Sequence, residues 1–258
     1  MKQNIIIVGA GETGQAIYQL EKKAGNLIKF IDPAVKTPES TLDKDKSIDV
    51  VHICFGFSQD FVTHATFYAT EYKPKLMIIN STVSVGTTQT LRDAVQDTTV
   101  NYIVNSPIRG VHPKLVKGIK TFVKYVGGKT EDAKVAIEHF KTINVEAEYL
   151  GSYETTELSK ILSTSYYGWN ILFAKEADLI CRYYGVDFDD VYTKPNESYN
   201  RGYKKLGMSN VVRPILVPPE GKIGGHCITP NFKLLPSKNT LSDLARVFKE
   251  LDDKWVGF

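Results

Sequence analysis

Residues 4–14, Asn4-Ile5-Ile6-Ile7-Val8-Gly9-Ala10-Gly11-Glu12-Thr13-Gly14, decide the fold. A short apolar run, the pattern of a parallel strand buried on both faces, leads directly into Gly-x-Gly-x-x-Gly. A helical pattern through Ala16, Ile17 and Leu20 follows. In that context Gly9 permits a tight turn, Gly11 lets backbone approach a ligand, and Gly14 lets helix and strand pack closely. The helix N-terminus then faces an anion. A second strand, Ile28 to Ile31, ends at Asp32, 18 residues beyond Gly14. A carboxylate there binds a ribose 2′-hydroxyl and repels a 2′-phosphate. The segment therefore predicts a Rossmann domain that binds NAD rather than NADP. Gly9, Gly11, Glu12, Thr13, Gly14 and Asp32 are its candidate cofactor-binding residues. The competing readings are a glycine turn in an unrelated α/β fold, and Asp32 as a strand-ending turn residue.

Outward from this loop, strand patterns recur at Val50 to Cys54, Leu76 to Ile79, Tyr102 to Val104, Val123 to Val126 and Ala147 to Leu150. Helical patterns over Gln59 to Tyr72, Thr87 to Gln96 and Glu131 to Ile143 separate several of them. Alternation of this kind predicts a doubly wound parallel sheet over residues 1–151. Asn80-Ser81-Thr82 closes the fourth strand, where loops line the ligand crevice. The hydroxyls of Ser81 and Thr82 either serve the nicotinamide side or cap the following helix.

After Gly151 the pattern becomes helical. Leu158, Ile161, Leu162, Trp169, Leu172, Phe173, Leu179 and Ile180 fall at helical spacing, with no Pro between Thr155 and Tyr184. The expectation is a mainly helical second domain, 152–258, with a long central helix of roughly 45 Å. That helix is either an interior element or the contact of a homodimer through residues 155–184. Pro195 to Pro219, rich in Tyr, Gly, Asn and Pro, reads as irregular structure, and residues 240–251 as a final amphipathic helix.

Composition sets bounds. The 258 residues are 42% hydrophobic and 24% charged, as in ordinary globular proteins, so disorder is not expected. A net charge of +3 is too weak to argue for nucleic acid. The basic cluster from Lys114 to Lys124 reads as a solvated face, with a phosphate-binding patch as the alternative. No signal-peptide pattern or membrane-length apolar run is evident. Cys54, Cys181 and Cys227 are odd in number and lack a CxxC pair, so neither a disulfide framework nor a metal site is expected, and a reducing cytoplasm is. Each Cys is core filler or a reactive thiol. Cys227, beside His226 and after Gly224-Gly225, is either a nucleophile at a glycine bend or a structural Cys.

Several motifs together resemble the UDP-glucose/GDP-mannose (nucleotide-sugar) dehydrogenases. They are the Gly9 loop, Ser81-Thr82-Val83-Ser84-Val85-Gly86-Thr87-Thr88, Ser106-Pro107, Gly127-Gly128, Glu157-Leu158-Ser159-Lys160, Trp169 to Glu176, and Gly224-Gly225-His226-Cys227. The resemblance implies oxidation of a sugar primary alcohol to a carboxylate with two NAD. Cys227 would carry a thiohemiacetal and then a thioester, Lys160 would stabilise the oxyanion, and Thr82 would hold the reacting group or water. The substrate would be a sugar or nucleotide sugar. Three positions depart from the family: Thr164 replaces an Asn, Asn231 an Asp, and Ile108 a Glu tied to thioester hydrolysis. Loss of two carboxylates removes expected acid–base groups. The family's C-terminal nucleotide-binding domain is expected to be absent, because the chain ends at Phe258. Two other functions compete with the four-electron one: a two-electron dehydrogenase or reductase acting on a smaller hydroxy or carbonyl substrate, and a non-catalytic NAD-binding protein.

Overall fold

The computed structural model describes residues 2–98, 100–111, 113–221, 223, 228–235, 243 and 246–251. The chain divides into two compact units, residues 1–160 and 161–258, with the division inside one long helix.

In the first unit the chain runs β1 (Asn4–Val8), α1 (Glu12–Lys23), β2 (Leu27–Ile31), β3 (Val50–Ile53), α2 (Phe61–Tyr72), β4 (Leu76–Ile79), α3 (Thr87–Ala94), β5 (Tyr102–Asn105), α4 (Leu115–Thr121), β6 (Lys124–Gly127), α5 (Thr130–Thr142) and β7 (Ala147–Gly151). The seven strands lie in the order β2-β1-β3-β4-β5-β6-β7. β1, β3 and β4 are buried along their whole length and are apolar except at Asn4 and His52. α1, α4 and α5 cover one face, packing Ile17, Leu20, Ile119 and Phe140 over Ile5, Ile7 and Ile78. α2 and α3 cover the other, packing Phe61, Ala65 and Leu91 over Ile6, Val51 and Met77. The doubly wound α/β expectation holds with one difference. β6 pairs antiparallel with β5, so β6 and β7 run against the other strands. β6 starts at the edge where β5 ends, and its connection through α4 need not recross the sheet. β1 pairs with both β2 and β3, which places the topological switch point at the carboxyl end of β1.

The helix expected from 155 to 184 is α6 (Tyr153–Tyr184), a single run of 32 residues closed by Gly185 in the left-handed region at φ 65°. In the second unit its remainder packs Ile161, Leu172 and Trp169 with Ile228, Phe232, Leu235 and Phe248. The irregular reading of 195–219 is corrected over residues 195–205. A π-helical turn (Asp189–Thr193) leads into α7 (Lys194–Lys205). Pro195 falls in the first helical turn, where its fixed φ and missing N–H are tolerated. Tyr199 stacks on Tyr203 one turn on, and Arg213 lies 3.9 Å from the centre of the Tyr199 ring. The composition of this stretch therefore builds a helix face, not a loop. The short α8 (Ile228–Phe232) follows. Of the helix expected over 240–251, residues 243 and 246–251 are helical and the others lie outside the described residues. No helix among the described residues is long and apolar enough to cross a membrane.

Candidate active site

The glycine loop at the switch point is packed closely at Gly9 and at Gly14. Gly9 adopts φ 99°, and a Cβ on it would stand 2.6 Å from the backbone nitrogen of Phe55. A Cβ on Gly14 would stand 1.8 Å from the carbonyl oxygen of Gly9. Both glycines are thus fixed by the fold itself. Gly11 differs: a Cβ there would meet nothing within 4 Å. It is the N-cap of α1, so the free amides of the first helical turn face open space. A diphosphate is the ligand such a cradle suits.

Asp32 closes β2 beside this loop. Its Oδ2 accepts from the Ala10 amide at 2.6 Å and its Oδ1 from the Ala34 amide at 2.8 Å. These backbone donors, Ala10 first, hold its carboxyl below the usual carboxylate range. The group stays anionic through neutral pH, and each oxygen retains a lone pair for a ribose hydroxyl. On the other side of the loop a cleft of about 920 Å³ is lined by Gly11, Gln15, Gln19, Lys114, Lys117 and Lys120. Three lysines of the basic cluster thus face solvent next to the glycine loop. Lys124, the fourth, does not: it is 2% exposed and donates to the Ser106 carbonyl at 2.5 Å. Burial pushes its ammonium down to about 7, while the Cys54 side pulls it up and Lys160 pushes it further down. The solvated-face reading fails at Lys124 because β6 carries it inside.

The remaining first-unit candidates sit at the carboxyl ends of β4 and in α6. Ser81 is buried and donates to the Phe55 carbonyl at 2.6 Å, tying the β3 and β4 ends together. Thr82, next along, is half-buried. Glu157 joins two of the sequence motifs. It accepts from the Gly86 amide at 2.7 Å, the Thr88 amide at 2.8 Å and the Thr88 hydroxyl at 2.6 Å. It therefore caps α3 from α6. Burial raises its carboxyl, and the Thr88 and Gly86 donors work against that rise. Asn105 and Thr156 complete the tie through Thr88 Oγ1 (3.3 Å) and Asn105 Oδ1 (2.8 Å). Lys160, half-buried, follows Glu157 by one turn of the same helix.

In the second unit Thr164 is half-buried on α6 and Asn231 is buried on α8. Gly168 receives α8: a Cβ there would stand 2.7 Å from Ile228 Cγ2. Cys227, His226, Gly224 and Gly225 lie outside the described residues. Cys54 and Cys181 are buried free thiols, and burial pushes Cys54 up to about 12, so Cys54 is not a reactive thiolate. Ile108 is buried in the first-unit core.

Sequence reasoning missed one further group. Glu21, His52 and His139 converge within the core of the first unit. They are far apart in sequence and share no motif spacing.

No family model matches the chain. The UDP-N-acetyl-D-mannosamine dehydrogenase of Methanococcus vannielii is 26% identical over 180 residues, which are 69% of this chain and 39% of that protein. That of Methanocaldococcus jannaschii is 25% identical over 179 residues, with the same coverage. The matched region thus spans about 39% of the length of these relatives. Among solved structures, the UDP-D-ManNAc dehydrogenase from Pyrococcus horikoshii superposes with a TM-score of 0.74 at 20% identity, over 98% of this chain and 68% of its own. The 3-hydroxyisobutyrate dehydrogenase of Mycobacterium tuberculosis, with L-serine, gives 0.70 at 16% identity, over 98% and 95%. These likenesses establish a shared dehydrogenase fold. The resemblance read from the motifs holds: the chain is similar in sequence to UDP-N-acetyl-D-mannosamine dehydrogenases over about 70% of its length.

Proposed function

We propose that the chain binds NAD at the Gly9–Gly14 loop and oxidises an alcohol of a sugar or nucleotide sugar. The observation that carries this reading is the contrast at the loop: two glycines locked by packing and, between them, Gly11 with open space. Asp32, held anionic, favours an unphosphorylated ribose and hence NAD over NADP.

Bound NAD supplies the hydride acceptor. Lys160 places a cation where negative charge develops on the substrate oxygen, which lowers the barrier. The Glu157 cap fixes the turn of α6 that carries it. Thr82 orients the reacting group or a water. Cys227 adds as thiolate to the aldehyde carbon, giving a thiohemiacetal. After the second hydride is lost, water displaces the thiolate from the thioester and leaves a carboxylate. Thr164 and Asn231 would contribute single hydrogen bonds where the family has an Asn and an Asp.

A two-electron reaction on a smaller hydroxy substrate is the second reading. It is favoured by Ile108 and Asn231, which cannot exchange protons, and by a 3-hydroxyisobutyrate dehydrogenase fold that this chain covers almost entirely. A homodimer through residues 155–184 is part of the proposal. Tyr166, Phe173 and Ile180 recur every seven residues along α6 and are 62%, 66% and 58% exposed, an apolar seam suited to a second copy.

The test is NADH formation from NAD with nucleotide sugars, simple sugars and hydroxy acids. Two NADH per acid formed, abolished by Lys160→Ala and Cys227→Ala, supports the four-electron reaction. One NADH per aldehyde or ketone, with Cys227→Ala fully active, supports the two-electron one. A chain that binds NAD but turns over nothing in the panel overturns both.

A further inference from the structure

The Glu21–His52–His139 cluster lies apart from the glycine loop. α1 starts at the loop, and Glu21 stands in its last turn, about 15 Å of helix rise away. His52 comes from the middle of β3 and His139 from the last turn of α5. All three are buried. Glu21 Oε1 is 3.1 Å from His52 Nε2 and 3.0 Å from His139 Nε2, and the two nitrogens are 3.3 Å apart.

Hydrogen bonding alone fits this triangle poorly. Two N–H groups donating to one oxygen would subtend only about 65° there, much less than the spread of carboxylate lone pairs. A tetrahedral ion fits it well. An ion about 2.0–2.1 Å from each ligand atom keeps those atoms about 3.3–3.4 Å apart.

The surroundings match what metal-bound imidazoles need, an acceptor for the other ring nitrogen. His139 Nδ1 is 3.1 Å from Gln3 Oε1. His52 Nδ1 faces the side-chain amide of Asn80 at 3.1 Å, and Asn80 Oδ1 is buried without a hydrogen-bond partner. Turning that amide over gives up its 3.4 Å contact with the Ile78 carbonyl and presents the missing acceptor to His52. Glu21 Oε2, the second carboxylate oxygen, is held by Asn26 Nδ2 at 2.6 Å. Finally, a cavity of about 470 Å³ at the amino end of the sheet reaches His139, with Gln3, Asp49, Glu138 and Lys134 among its walls. It opens from solvent as far as His139, while Glu21 and His52 lie behind it in the core.

We propose that Glu21, His52 and His139 form a divalent-metal site that takes Zn²⁺, a clip joining α1, β3 and α5. Two imidazoles and a carboxylate, with no sulfur, are a donor set that zinc accepts. The role is structural: the site is enclosed and remote from the cradle that would hold NAD.

The test uses the untagged full-length chain, loaded with excess Zn²⁺ and dialysed without chelator. Metal analysis is expected to give about one zinc per chain. X-ray absorption is expected to show nitrogen and oxygen neighbours only. Glu21→Gln should lower the zinc content about tenfold or more, while Cys227→Ser should retain it. Zinc below about a tenth of an equivalent in the wild type overturns the proposal. So does a sulfur neighbour, which would place the ion on a cysteine, or full retention in Glu21→Gln. Should Glu21→Gln fail to fold, the wild-type stoichiometry and absorption spectrum still decide.

Discussion

At the carboxyl end of β1 the chain turns through Gly9 and Gly11 and leaves amides of the first α1 turn facing open space. Toward the other end of the same helix, Glu21 closes on His52 and His139 with every neighbour within hydrogen-bond reach. One helix thus links an open anion cradle to a closed polar knot. The open end owes its shape to missing side chains, so substitutions there should change binding more than stability. The closed end is built from buried charged and polar groups, so substitutions there should do the reverse.

The largest stability effect is expected at the closed end. Glu21→Ala leaves two buried imidazoles without their carboxylate and should cost about 3–5 kcal/mol in chemical denaturation. The folded fraction should keep its NAD affinity. Next is Gly14→Ala, where the new Cβ would collide with the Gly9 carbonyl. A loss of about 2–3 kcal/mol, together with loss of NAD binding, is expected because the loop itself must move.

Lys124→Met should act with the opposite sign. Burial lowers this lysine from 10.5 to about 7, so between those values the unfolded chain binds more protons than the folded one. Native stability therefore gains from rising pH over that window, and the penalty for burying the charge is full below about 7. The Met variant should be more stable than wild type by about 1–3 kcal/mol at pH 6.5, the advantage shrinking toward pH 10. Denaturant midpoints measured across that range check it.

Glu157→Gln, which weakens the cap on α3, should cost about 1–2 kcal/mol. If the cap positions Lys160, kcat falls while NAD affinity is kept. A variant with unchanged kcat confines Glu157 to a structural role.

The same contrast explains what was legible in the sequence. The glycine loop occupies eleven consecutive residues whose spacing is fixed by one strand, one turn and one helix, so its chemistry shows locally. Asp32 shows because the next strand returns it at a regular distance. The Glu21 cluster shows nowhere in the sequence: its members are separated by 31 and 87 residues and meet only through sheet order and helix packing. Lys124 was misread because a basic cluster looks solvated until β6 turns one member inward. α7 was misread because Pro195 and its tyrosines suggest a loop, whereas the proline falls where a helix accepts it. Glu157 drew attention as part of a family motif, but its capping of Gly86 and Thr88 follows from tertiary packing.

The smallest stability effect belongs to Gly11, and it tests the central claim most directly. Gly11→Ala should leave the denaturation midpoint within about 0.5 kcal/mol of wild type, since its Cβ meets nothing in the fold. Titration calorimetry should nevertheless show NAD affinity reduced about tenfold or more, with wild-type NADP binding weaker than NAD. Undiminished NAD affinity in the folded Gly11→Ala variant would contradict the assignment of the glycine loop as the cofactor site.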